Sequence, residues 1–164
     1  MEKNVSYERP PTKKSFEELK AEIKNEFANK EYSLAFFIKE FTKDEILRRS
    51  FLSVVTSNPA RVHNIYIEGS FADKKQIYRK LYRLKTLGLI KQIPVSSVTM
   101  KKEDKTAQEL EIEEDFHEWT SKMHPTMKQH FETKTNYWVL TDNGKNIDLI
   151  NSALSIEKGS GKHE

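Results

Sequence analysis

Apolar residues recur along most of this chain at helical spacing, and in two short runs they crowd together as in buried strands. The spacing therefore predicts a mainly α protein with a small β-hairpin. From Asp73 to Ile90 (DKKQIYRKLYRLKTLGLI), Ile77, Leu81 and Leu84 share a narrow helical stripe. Asp73 stands at the N-cap with Gln76 three residues on, and Gly88 supplies a helix stop. Upstream, Thr42 and Glu45 form a capping-box pattern, and Ile46, Leu47, Phe51, Val54 and Val55 continue a helix to the Asn58-Pro59 breaker. Ala60 to Glu68 carries Val62, Ile65 and Tyr66 on one face, and Gly69-Ser70 allows a tight turn into the next helix. Leu89 to Val95 and Asn136 to Thr141 (NYWVLT) have strand composition.

The flanks repeat the helical pattern. Ser15 and Glu18 give another capping box, with Phe16, Leu19, Ile23 and Phe27 on one side of the helix they open. Tyr32 to Phe41 (YSLAFFIKEF) reads as a second helix, a strand being the competing reading of so short an apolar run. Asn143 to Ser155 forms a terminal helix through Ile147, Ile150, Ala153 and Leu154.

Charge changes the picture most between Lys74 and Lys91, which hold seven Lys or Arg and no acid, a local +7 against +3 for the whole chain. Opposite the apolar stripe lie Lys75, Arg79, Tyr82 and Thr86, flanked by Gln76 and Arg83. A face of one sign attracts phosphate, whereas a basic face kept only for solubility is the bland alternative.

In this setting the chain resembles the winged helix-turn-helix regulators of bacteria and archaea. Their I-x3-L-x2-L…G-L-I signature is met by Ile77, Leu81, Leu84 and Gly88-Leu89-Ile90, and their Leu-Thr-x-x-Gly turn by Leu140, Thr141 and Gly144. The resemblance covers about residues 43 to 155 and implies an α+β fold: a winged helix-turn-helix with an N-terminal helical extension, a long helical insertion in the wing and a C-terminal helix. It implies that helix 74–87 enters the major groove of double-stranded DNA. Gln76, Arg79, Tyr82 and Arg83 would then face base edges and Lys74, Lys75, Lys80 and Lys85 phosphates, with Thr86 on the same face. The terminal helices are expected to build a homodimer.

The chain departs from the family where about forty residues, roughly 98 to 135, replace a short wing tip. Lys101 to Glu118 holds eight acids (Glu103, Asp104, Glu109, Glu111, Glu113, Glu114, Asp115 and Glu118) against three lysines, and should avoid DNA. Thr106 and Glu109 cap one helix there, with Leu110, Ile112, Phe116, Trp119 and Met123 on it before Pro125. Its apolar edge calls either for packing on its own domain or for a protein partner docking on 103–118. With the tip displaced, minor-groove contacts from Lys101, Lys102, Lys128 and Lys134 are in doubt. Exposed imidazoles explain His117, His124 and His130 better than a metal site does. Tyr137, Trp138 and Trp119 read as core rather than as a ligand pocket.

Residues 1–13 and 156–164 are expected to be disordered tails, 14–42 a helical extension and 43–155 the main domain. Zero cysteines exclude disulfides, and no span or secretory signal is legible, so the expected site is the cytoplasm, on the nucleoid. Without a P-loop, a Gly-x-Ser-x-Gly, a His-Glu-x-x-His or a thiol, the sequence offers no catalytic constellation and calls for no cofactor. The function expected is sequence-specific transcription regulation. The alternatives are a DNA-binding adaptor of partition or replication and a winged-helix protein-interaction module.

Overall fold

A computed structural model describes residues 15, 17, 18, 32–71 and 73–161. The chain divides into two compact units, Met1–Glu31 and Tyr32–Glu164. In the first, Ser15 and Glu18 bond reciprocally: each backbone N–H donates to the other's side-chain oxygen at 3.1 Å, as the capping box predicts. The stripe expected at Phe16, Leu19, Ile23 and Phe27, and the tail expected at 1–13, lie outside the described residues.

The second unit is mostly helical, with eight helices and a two-stranded antiparallel sheet among its described residues. Helix α1 (Leu34–Lys43) starts at Ser33, whose hydroxyl accepts from the Phe36 N–H at 3.1 Å. The run that could have been a strand is therefore helical, and Phe37 and Phe41 are its buried side. Helix α2 (Glu45–Ser57) is capped by Asp44, which accepts from the Leu47 N–H at 3.0 Å. The expected Thr42/Glu45 box does not form, because α1 continues through Thr42 and its hydroxyl donates to the Ile38 carbonyl at 2.7 Å instead.

Helix α3 (Val62–Glu68) begins two residues later than expected, because Ala60 exchanges backbone hydrogen bonds with Trp138 at 2.9 and 2.7 Å. Its turn places Ser70 at φ 53°, while Gly69 is required for space: a Cβ there would meet the Phe71 ring at 2.3 Å. Helix α4 (Lys74–Thr86) is capped by Asp73, which accepts from the Lys75 N–H at 2.8 Å. Gly88 at φ 81° ends it, as the Gly88 N–H donates to Lys85 and the Leu89 N–H to Leu84, a six-to-one closure between two buried leucines.

Strand β1 (Ile90–Pro94) pairs with β2 (Asn136–Leu140), with Ile90 opposite Leu140 and Pro94 opposite Asn136. The Thr141 turn then folds back on the end of α4: its hydroxyl donates to the Gly88 carbonyl at 2.5 Å and accepts from the Gly144 N–H at 3.1 Å. Two motifs more than fifty residues apart thus form one joint. The final helix, α8, runs from Ile147 to Gly161 and includes residues expected to be a tail. Glu157 anchors it by accepting from Arg48 Nε at 2.8 Å. Arg48 is itself buried, and its Nη1 donates to the Phe41 carbonyl at the end of α1. Leu149 and Ala153 are the buried positions of α8, whereas Ile147 and Leu154, two of the residues read as its apolar face, are exposed.

The main core gathers Phe41, Leu47, Phe51, Ile65, Ile77, Leu81, Leu84, Trp138 and Leu149 around α2, which touches α1, α3, α4 and α8. The insertion builds a second one. Rather than one helix it contains three, α5 (Val95–Thr99), α6 (Ala107–Thr120) and α7 (Pro125–Lys134). Pro125 begins α7 instead of merely ending α6, since proline fits the first helical position, where its missing N–H costs nothing. The Thr106/Glu109 capping box forms as predicted. Ile112 and Phe116 pack with Val95, Val98, Tyr137 and Val139. Alternate residues of β2 therefore serve opposite cores, Trp138 and Leu140 the first and Tyr137 and Val139 the second, which is why Tyr137 to Leu140 (YWVL) carries no solvent-facing polar alternation. The insertion's apolar edge is thus covered by its own sheet at Ile112 and Phe116, whereas Leu110, read as part of that edge, is exposed and Met123 lies beyond the end of α6.

Candidate nucleic-acid interface

Burial of Ile77, Leu81 and Leu84 fixes the rotation of α4 and turns Lys74, Lys75, Gln76, Arg79, Tyr82, Arg83 and Thr86 outward, all exposed; Lys80 and Lys85 are half-buried. No acid lies on the helix, which follows Asp73 directly.

The cations are unequal. Arg83 Nη2 donates to Glu40 Oε1 and Lys80 Nζ to Asp44 Oδ2, both at 2.8 Å. Glu40 is 6 % exposed and also meets Lys43 at 3.1 Å. The Arg83 hydrogen bond, followed by that of Lys43, holds the Glu40 carboxyl below its ordinary pKa. Partial burial pushes Asp44 up, but the Lys80 and Leu47 hydrogen bonds outweigh it and the net shift is also downward. Sequence reasoning missed both acids, because partners 43 and 36 residues apart leave no local signal. Lys75 and Arg79 have no ion pair among the described residues, and Lys74 lies 5.3 Å from the Tyr66 ring centre. The uncompensated charge is therefore concentrated in the first half of α4. In the second half, Lys85 Nζ donates to Gln92 Oε1 at 3.1 Å and Tyr82 meets Trp138 edge-on at 5.5 Å.

Comparison with protein-family models, curated proteins and solved structures found no match. The chemistry of this face rests on its own geometry.

On the insertion, Lys101 pairs with Glu109 at 2.9 Å and Lys105 with Glu113 at 2.5 Å. Lys101 is thus partly neutralised. Hydrogen bonds from the Thr106 backbone and from Lys101 depress the pKa of Glu109. Asp115 accepts from Arg61 Nε at 3.3 Å and from the Tyr137 hydroxyl. Burial first, and that carboxylate second, push the phenol well above its ordinary pKa. His117 and His130 are exposed, and His124 caps α7 by accepting from the Thr126 N–H at 3.2 Å. Among the described residues no three His, Asp or Glu converge as metal ligands, and no helix is long and apolar enough to cross a membrane.

Proposed function

We propose that the chain is a winged helix-turn-helix protein that binds double-stranded DNA by inserting α4 into the major groove, and that it acts as a sequence-specific transcription regulator. The observation that carries this reading is the outer face of α4: seven exposed polar or aromatic side chains, no acid, and its free cations at the N-terminal half, the part of a recognition helix that reaches base edges. The order α2, α3, α4, β1, β2 and the joint between Gly88 and Thr141 agree with the resemblance. Lys75, Gln76 and Arg79 are the leading base-edge or phosphate contacts, whereas Lys80 and Arg83 must first leave Asp44 and Glu40.

Dimerisation belongs to the same proposal. Helices α1 and α8 pack on each other within one chain, and a surface open to a second copy among the described residues is the outward face of α8, where Ile147 and Leu154 stand seven residues apart at 65 % and 43 % exposure. A protein partner is the second reading, favoured by the exposed acids Glu111, Glu114 and Glu118 on α6.

Selection from a random duplex pool tests the proposal. A pseudo-palindromic motif enriched by the wild type and lost with Arg79→Ala supports it. Absence of enrichment, with binding unchanged in the variant, overturns it.

A further inference from the structure

The crease between α4 and the insertion is a cleft of about 290 Å³. Its aromatic walls are Tyr78 and Tyr82 from α4, Trp119 and Phe131 from the insertion, and Trp138 from β2. Arg61, Lys74 and Lys134 line the same space, and no acid does. Arg61 lies 4.2 Å from the Trp119 ring centre and uses Nε on Asp115. The Trp138 indole N–H is buried without a partner among the described residues, an unspent donor on one of the lining residues. Flat rings favour a planar ligand and cations favour an anion, and the volume sits at the small end of the range for ligand pockets.

We propose that this cleft binds a nucleotide, the base stacked between Tyr82 and Trp119 and the phosphate held by Arg61 and Lys134. A free mononucleotide and an unstacked residue of a nucleic acid strand share this chemistry. The site does not depend on the duplex reading, since its test contains no duplex.

Trp119 and Trp138 are the only tryptophans, so intrinsic fluorescence of the full chain reports on the cleft. AMP, a short oligothymidylate and ribose 5-phosphate would be titrated separately. Saturable quenching by AMP assigns a free nucleotide, and quenching by the oligothymidylate alone assigns a strand. Either supports the proposal if ribose 5-phosphate has no effect and Arg61→Gln weakens the response roughly tenfold. Lys134→Gln, at an exposed position, weakens it in the same direction and does not depend on how Arg61→Gln folds. No saturable quenching by AMP or oligothymidylate, or quenching unchanged in both variants, overturns it.

Discussion

Glu40→Gln removes a buried carboxylate that holds Arg83 at 2.8 Å and Lys43 at 3.1 Å. Both cations are substantially exposed, so each pair contributes in the surface range of roughly 0.2 to 1 kcal/mol, and the variant should lose about 1 kcal/mol in all. For a unit of this size that lowers Tm by about 4 °C. The released Arg83 then adds one cation to the face of α4. If it reaches a phosphate, the slope of log affinity against log salt steepens by about 0.9. Urea unfolding and fluorescence anisotropy on a labelled duplex across a salt series measure the two effects separately. Lower stability with tighter, more salt-sensitive binding is expected. Lower stability with unchanged affinity and slope would show that Arg83 does not face DNA, and would refute the idea that Glu40 masks it. The pH dependence has a definite sign. Because the folded Glu40 carboxyl is depressed from 4.5, its contribution is present above that pH and is lost as pH falls through the lower folded value. The gap between wild type and Glu40→Gln should therefore close in acid.

Leu81→Ala, at a fully buried position, should cost about 2 to 5 kcal/mol in urea unfolding and abolish duplex binding only as far as it unfolds the protein. Phe116→Ala should cost about 3 to 5 kcal/mol and, if the two cores unfold together, leave a single transition by circular dichroism and tryptophan fluorescence. Gly88→Ala should cost only about 1 to 2 kcal/mol, since the added Cβ meets nothing closer than Asn143 at 3.9 Å and the loss is left-handed strain. Gly144→Ala should be far worse in the same assay, because its Cβ would lie 2.0 Å from the Leu89 carbonyl oxygen, so backbone must move.

Much of this was legible because helical spacing and caps are local. The stripe Ile77, Leu81, Leu84, the Gly88 stop and the Thr106/Glu109 box each follow from residues within a few turns of one another. What escaped was decided at a distance. Thr42 lost its capping role to Asp44 because α1 did not stop where the next helix pattern began. On α8 the face read from the sequence was Ile147, Ile150, Ala153 and Leu154, and packing against α1 and α2 kept Ala153, added Leu149 and left Ile147 and Leu154 exposed. Pro125 was read as a stop although the same ring also suits a start. At the candidate interface the outward residues were legible from the wheel alone, but the neutralising Glu40 and Asp44 were not, since only the tertiary fold brings the end of α1 beside α4.

The central claim is that the first half of α4 meets DNA. Amide chemical-shift mapping of isotopically labelled protein with a duplex recovered by selection tests it most directly. Perturbations concentrated on Lys74 to Lys80, with the far side of α6 silent, are the expected result. Perturbations confined to the insertion, or none at low salt, would contradict it.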